Sequence, residues 1–552
     1  MTNLILRFSA IKTKFFALTV FALSLYILFI YLLSEKFYFA NKKLPLSSVE
    51  LPNVVVHIDL KGTPLKLTYL ESLFPLMRRY GVNGLLMEYE DMFPYEGNLA
   101  NLSAEYCYSR VELKKFLRKA KQSGFEIIPL IQTFGHLEYA LKLAEFQHLR
   151  EDPLYPDSIC PSKIESLLFL EELIKQIICF HETVTALNFV HIGCDEVFHL
   201  NQCQQCKERL GIINNQDLLL QHVRFISEVV NSLSAKTTIL IWDDMLRDIK
   251  AYVWLNIEPF NNVHPVYWDY GSTLRVTHKN LYAYHKNFPH IWIASAYKGA
   301  DGRISTMMNV RERFLNNFRW MRYILDYKFG GEASYTFNGI ILTGWSRYSH
   351  MDPPCELLPV SIPSLVLNLL VIQNFKSGFS GAGINNERVV VENFFREHIN
   401  VELNKSFKCL TNYDNLDFSV CKFEGQELYK IMIQYILMKK EISKELSSET
   451  NAIATLEYYS EQGSINMNNV LEIKEYLVTK LDYLKNLENL LVKEISKYYH
   501  YDFAKEYTKY KSFQTKNKLT KLLNILNNYM QKRIWNRRTV SKISNVSTQG
   551  LL

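Results

Sequence analysis

Leu187-Asn188-Phe189-Val190-His191-Ile192-Gly193-Cys194-Asp195-Glu196-Val197-Phe198-His199 is an apolar, β-branched run that ends in a glycine and two adjacent carboxylates. Its apolar part has the length of a buried strand. Asp195 and Glu196 repel each other there, so one carboxyl must shift its pKa or find a partner. Such pairs collect at active sites. The competing reading is a strand that runs out into an acidic surface loop.

Similar apolar runs recur along the chain at Val54–Asp59, Gly84–Tyr89, Glu126–Ile131, Thr237–Trp242, Val263–Trp268, Ile291–Ser295 and Ile340–Trp345. Helical spacing separates many of them, over Leu70–Tyr80, Val111–Gln122, Ile164–Phe180 and Leu218–Leu233. Eight strands in this alternation predict an α/β fold, a (β/α)8 TIM barrel over residues 53–385. The polar and aromatic residues gather at the C-terminal ends of the strands, the face where such barrels do chemistry. That position favours the active-site reading of Asp195 and Glu196.

Beyond the barrel the pattern changes. Val470, Ile473, Leu477, Leu481, Leu484, Leu487, Leu491 and Ile495 step by three or four, and Leu519–Ile534 continues in kind. This spacing predicts an all-helical region over 386–552, which either packs on the barrel or pairs two copies as a homodimer.

The 552 residues are 48% hydrophobic and 22% charged, which is globular composition. A net charge of +7, spread along the chain, points to no nucleic-acid partner. Nine cysteines in so long a chain make no disulfide scaffold. The only tight pair is Cys203-Gln204-Gln205-Cys206. A zinc site would want a second such pair, so the expectation is no metal and a local disulfide or two free thiols.

Near the N-terminus, Phe15–Leu33 is an uncharged apolar run long enough to span a bilayer. No small-residue cleavage pattern follows closely, so it reads as a transmembrane anchor between a 1–14 tail and a 34–52 stem. Lysine and arginine are nearly balanced across the span and leave its orientation open. Sequons at Asn101, Asn404 and Asn545 suit a type II, single-pass protein with a lumenal or extracellular body.

Two carboxylates and three strand-end tryptophans, Trp242, Trp268 and Trp345, fit a sugar site. Indoles stack on the apolar faces of sugar rings, and a glycosidic oxygen needs a proton donor. Adjacent residues of a regular strand face opposite ways, so Asp195 and Glu196 share a pocket only if the strand ends or bends there, which Gly193 and the barrel rim allow. A shared pocket would keep one of them protonated near neutral pH.

His191-Ile192-Gly193-Cys194-Asp195-Glu196 resembles the H-x-G-x-D-E signature of glycoside hydrolase family 20, the β-N-acetylhexosaminidases. Trp242-Asp243-Asp244-Met245, Ala294–Gly299, Leu342–Tyr348 and Cys355–Pro359 resemble the hexosaminidase D branch of that family. The resemblance implies an exo-acting enzyme that removes terminal β-linked GlcNAc or GalNAc with retention, using the substrate's acetamido oxygen as nucleophile and no cofactor. It implies that Glu196 moves the proton, Asp195 holds the acetamido N–H and Tyr297 binds the acetamido oxygen. Trp242, Trp268 and Trp345 would wall the pocket, and Asp243 and Arg347 would help bind substrate. The arginine and glutamate with which many family members hold the outer hydroxyls are missing at the expected places. His57 and Asp59, and Arg347, stand at those places, and Glu88, Glu90, Asp91 and His136 are the substitutes offered by this sequence. The branch is also described as nucleocytoplasmic, which gives an alternative to the membrane address. The alternative function is a silent glycan-binding or membrane scaffold protein on the same barrel.

Overall fold

Residue alternation along the strands organises the molecule. In the computed structural model, which describes residues 51–532 and 534 apart from 211–213, 256, 330–336, 376–386, 448–452, 454, 462–464 and 533, eight parallel strands close into a barrel. They are β1 Asn53–Asp59, β2 Gly84–Glu88, β3 Glu126–Leu130, β4 Phe189–His191, β5 Thr238–Trp242, β6 Val263–Trp268, β7 Ile291–Lys298 and β8 Phe337–Gly344. Each strand pairs with its sequence neighbours, and β8 closes on β1 in the register Asn53 to Gly339. The predicted barrel is therefore present.

One residue parity of each strand points into the barrel. Val55, Leu86, Ile128, Leu130, Leu240, Trp242, Val266, Trp292, Ala294 and Ile341 form the interior cluster. Their neighbours Val56, Leu85, Ile127, Val190, Ile239, Ile293 and Ile340 face the surrounding helices in a separate, larger core. The fully buried Trp292 is the bulkiest interior residue apart from Trp242, and β8 makes room with Gly339, where a Cβ would meet the indole. Large and small residues thus interdigitate as dense cores require.

The outer layer includes α1 Arg110–Gln122, α2 Ile164–Glu182, α3 Asn215–Leu233, α4 Val310–Phe329 and α5 Leu358–Asn374. Ser109 starts α1 with a capping box closed by Glu112, which satisfies donors a helix start would leave open. An antiparallel hairpin, Arg150–Asp152 with Tyr155–Ile159, interrupts the βα period between β3 and α2. It was not foreseen, because its strands lack an apolar alternation. The segment predicted as one helix over 70–80 is two short helices, Leu67–Ser72 and Phe74–Arg79, with Pro75 at the start of the second.

In α5 every residue from Leu358 to Ile372 is buried. A helix apolar on all sides must be covered on all sides. The helical tail supplies the outer cover through α6 Gln426–Ser447, which packs on α5. The two long tail helices are α7 Met467–Tyr498 and α8 Tyr501–Met530. They run antiparallel, with Ser512 Oγ donating to Glu488 and Tyr529 to the carbonyl of Ile465. The second is longer than the predicted Leu519–Ile534 because Phe503, Tyr507 and Thr508 already pack inward. The corner between them docks on the loop after β1. Lys66 N donates to Tyr498 O at 2.7 Å and His500 N to Pro64 O at 3.0 Å. The tail therefore packs on the barrel and braces a loop at its catalytic end.

The predicted anchor at 15–33, the 1–14 tail, most of the 34–52 stem and the 385/386 boundary lie outside the described residues. Among the described residues no helix is long and apolar enough to cross a membrane.

The tail hairpin rests on its apolar seam, in which Leu491 is 1% exposed. Leu491→Ala should remove about 2–5 kcal/mol of stability. Thermal denaturation would then show a lower midpoint for the variant; an unchanged midpoint would mean that α7 and α8 do not carry the stability assigned to them.

Candidate active site

The alternation breaks where the chemistry begins. Past β4, Gly193 (φ 67°), Cys194 (φ 67°) and Glu196 (φ 45°) all have left-handed backbone. Such conformations cost non-glycine residues roughly 1–3 kcal/mol each and persist only where surrounding contacts impose them. Here Thr133 Oγ1 donates to Ile192 O at 2.7 Å and lies 3.2 Å from Cys194 Sγ. Glu196 N donates to Asp244 Oδ2 at 2.8 Å. A Cβ at Gly135 would strike the backbone of Asp195 and Glu196, so a bare α-carbon lets the two loops touch. As a result both carboxylates line one cavity.

That cavity encloses about 650 Å³ of space when its open mouth is counted. Its walls are Lys61, His136, Asp195, Glu196, Trp242, Trp268, Tyr270, Gly299, Ala300, Trp345, Arg347 and Tyr348. Trp242 and Trp345 lie 5.8 Å apart between ring centres. Trp268 is fixed by its indole N–H, which donates to Asp244 Oδ1 at 3.0 Å. Asp244 thus ties one aromatic wall to the backbone of Glu196. Trp345 Nε1 donates to the Tyr270 hydroxyl at 3.1 Å.

His136 joins the two acids. Its Nε2 is 3.3 Å from Glu196 Oε2 and 3.6 Å from Asp195 Oδ2, and its Nδ1 is 3.9 Å from Glu138 Oε1. Burial alone would lower its pKa, but Asp195, the Glu196 hydrogen bond and Glu138 raise it to about 10. The hydrogen bond from His136 lowers the pKa of Glu196, against its partial burial. Burial pushes Asp195 up to about 7, helped by Asp244, Glu88 and Glu196 and opposed by His136. One carboxyl is thus raised, and in the free site it is Asp195. Its Oδ1 has no hydrogen-bond partner among the described residues.

A second charged group lies beside the first. Lys61 Nζ is 3.3 Å from Glu88 Oε1, 3.6 Å from Glu90 Oε1, 3.8 Å from Asp59 Oδ2 and 5.0 Å from the Trp345 ring centre. Burial disfavours its charge, but Asp59, Glu88 and Glu90 outweigh burial and raise its pKa. His57 Nε2 meets the other Glu88 oxygen at 3.0 Å. The cavity therefore holds a fixed ammonium opposite an aromatic wall.

Asp195, Glu196, His136, Trp242, Trp268, Trp345 and Arg347 line the cavity, whereas Tyr297, Asp243, Asp59 and Glu90 do not. Parity explains the first two exceptions. Tyr297 shares its phase on β7 with Ile293, faces the helical shell and is fully buried there, donating to His57 O at 3.3 Å. Asp243 follows the outward phase of Ile239 and Ile241 and takes a two-pronged pair from Arg247 at 2.7 and 2.6 Å. The other two face inward but are occupied. Asp59 accepts from Ser346 N at 2.7 Å and Lys61 N at 2.9 Å. Glu90, itself left-handed at φ 46°, pairs with His350 at 2.7 Å. Arg347 reaches the cavity but spends its donors on the carbonyls of Lys61, Gly62 and Asp352.

Sequence reading missed Lys61, Tyr270, Gly299, Ala300 and Tyr348. Lys61 keeps the inward phase of His57 and Asp59, and Tyr270 that of Trp268, so counting parity past the strand ends would have found both.

A closed parallel barrel that presents paired carboxylates among indoles at its C-terminal mouth defines a carbohydrate-active enzyme of the glycoside hydrolase class. Residues 75–280 match the family described as glycosyl hydrolase family 20, catalytic domain. The chain is 40% identical over 345 residues to hexosaminidase D of Bos taurus, covering 62% of this chain and 96% of that protein. It is 41% identical over 330 residues to hexosaminidase D of Homo sapiens, covering 59% and 66% respectively. Among solved structures, the β-N-acetylhexosaminidase of Bacteroides fragilis is 14% identical with a TM-score of 0.45, over 63% of this chain and 71% of that one. The chain belongs to glycoside hydrolase family 20.

The His136 pair has a pH signature. A folded pKa of about 10 against an ordinary 6.5 means that the pair stabilises the fold fully below pH 6.5 and loses that contribution as pH rises through 10. Urea denaturation at pH 6.5, 8 and 10 should show wild type losing stability relative to His136→Asn over this window. A pH-independent difference would contradict the assigned charge.

Proposed function

We propose that this protein is an exo-β-N-acetylhexosaminidase that hydrolyses terminal β-linked GlcNAc or GalNAc by a retaining, substrate-assisted mechanism. The observation that carries this reading is the arrangement of Asp195 and Glu196 in one aromatic-walled cavity, joined through a charged His136. Two hydrolytic carboxylates could also serve as acid and nucleophile, but family 20 is an exception to that scheme. In its place, the substrate's acetamido oxygen attacks the anomeric carbon, the glycosidic C–O bond breaks, and an oxazolinium ion forms.

Glu196 gives its proton to the departing oxygen, and later takes one from the water that reopens the ring. The free carboxylate is held ionised by His136, so the proton it delivers must come to it when substrate binds. The His136–Glu196 hydrogen bond holds such a proton, and a sugar that excludes water from Glu196 favours its neutral form. Asp195, with Oδ1 unpartnered, accepts the acetamido N–H and stabilises the positive charge that builds as the oxygen attacks. Tyr270 takes the role first expected of Tyr297. Its oxygen accepts from Trp345, and its hydroxyl also hydrogen-bonds the Thr343 side chain, a partner that the acetamido oxygen would replace. Lys61 supplies the cation for the outer sugar hydroxyls.

The membrane address belongs to the same proposal. Residues 15–33 anchor the chain, and the body faces a lumen or the exterior. The Cys409–Cys421 disulfide supports an oxidising compartment, and sequon residues Asn101 and Asn404 are both exposed.

The test uses full-length protein in detergent with p-nitrophenyl GlcNAc and GalNAc. Glu196→Gln should lower kcat about 10²–10⁴-fold. Tyr270→Phe should lower kcat while Tyr297→Phe leaves it near wild type; the reverse order would return the acetamide contact to Tyr297. Absence of hydrolysis above the Glu196→Gln background from pH 4 to 8 would overturn the proposed activity.

A further inference from the structure

The unforeseen hairpin brings a group of metal-binding side chains together behind the catalytic loop. Glu151 lies on its first strand, Cys160 directly follows its second, and Cys203 and Cys206 stand on the chain after Glu196. One donor atom from each of the four lies within 4.8 Å of the others. Cys160 Sγ is 3.2 Å from Cys203 Sγ and 3.7 Å from Cys206 Sγ, and Cys206 Sγ is 3.3 Å from Glu151 Oε2. A tetrahedral ion with sulfur bonds of about 2.3 Å holds its sulfurs roughly 3.7 Å apart, so the cluster needs only small shifts to close on one.

We propose that Glu151, Cys160, Cys203 and Cys206 form a structural zinc site. The sequence holds no second Cys-x-x-Cys. The fold supplies the other two ligands from a hairpin more than forty residues upstream. Three thiolates and a carboxylate are a soft, closed, four-ligand set, which suits Zn²⁺ as a structural ion and leaves no position for water.

The surroundings are those that thiolate ligands need. Ser162 N donates to Cys160 Sγ at 3.4 Å, and Cys206 N donates to Cys203 Sγ at 3.3 Å. Glu151 Oε1 accepts from Gln202 N at 2.6 Å and Cys203 N at 3.1 Å, which leaves Oε2 turned toward the sulfurs. Cys160 and Cys206 are fully buried and pack with Leu218 in a small apolar cluster of their own. Outer contacts of this kind orient ligands and set affinity.

Binding balances simply. Zn²⁺ displaces the protons of three thiols to solvent, three Zn–S bonds and one Zn–O bond form, and no electron is transferred. The ion clamps the segment after Glu196 to the hairpin that follows the His136 loop, so it holds the two halves of the acid–histidine group from behind. This inference does not depend on the proposed substrate, because its primary readout is metal content.

Full-length protein purified without chelators should carry about one zinc per chain by elemental mass spectrometry. Cys160→Ser and Cys206→Ser should each hold less than about a tenth of that, while Cys179→Ser, at an exposed cysteine outside the cluster, keeps it. Wild-type protein, reduced, stripped and reloaded with Co²⁺, should show a thiolate-to-cobalt absorption band, a readout that needs no variant to fold. The site is overturned if wild type holds no zinc and takes up no cobalt after reduction. A Cys160–Cys203 disulfide in a non-reducing peptide map, or undiminished metal in Cys160→Ser, would overturn it equally.

Discussion

The structure depends on one forced break in strand alternation. Along β4 successive side chains face opposite sides, and a regular continuation would send Asp195 into the barrel and Glu196 into the helical shell. Left-handed backbone at Gly193, Cys194 and Glu196 turns both into one cavity. Thr133 and Asp244 hold that backbone with hydrogen bonds, and the bare α-carbon of Gly135 lets the neighbouring loop approach. His136 then offsets the repulsion that the two carboxylates would otherwise suffer.

The remaining architecture supports this corner. Asp244 links Glu196 to Trp268, and Arg247 with Asp243 fixes the loop between β5 and β6. On the opposite wall, Lys61 sits among Asp59, Glu88 and Glu90, a buried ammonium stable only because it is paired. The loop that carries it is braced by the corner between α7 and α8, so the helical tail contributes to the active-site wall as well as to the outer core.

The barrel was legible because eight apolar runs with helical spacing among them leave few other packings. The carboxylate pair and the three tryptophans were legible because they stand at strand ends. Tyr297 and Asp243 stand outside the cavity for one reason: resemblance assigns a role by neighbouring motif, whereas the direction of a strand residue follows its parity. Tyr297 shares the phase of Ile293, and Asp243 that of Ile241; both face the shell. Lys61 and Tyr270 carry the inward phase and were overlooked because they lie beyond the last strand residue. Asp59 and Glu90 could not be resolved by parity, since their partners Ser346 and His350 are more than 250 residues away. The hairpin at 150–159 has no periodic signal at all, and so the meeting of Glu151 and Cys160 with Cys203 and Cys206 is visible only in three dimensions.

The proposed mechanism requires the substrate's acetamide to act as nucleophile, with Asp195 steering it and Glu196 moving protons. Measuring kcat/KM for p-nitrophenyl GlcNAc substrates whose acetyl group carries none, one, two or three fluorines tests this directly. Fluorine withdraws electrons from the acetamido oxygen and weakens it as a nucleophile. Substrate assistance predicts a steep, progressive loss of rate with each fluorine. A flat series would mean that the protein, not the substrate, supplies the nucleophile, and would contradict it.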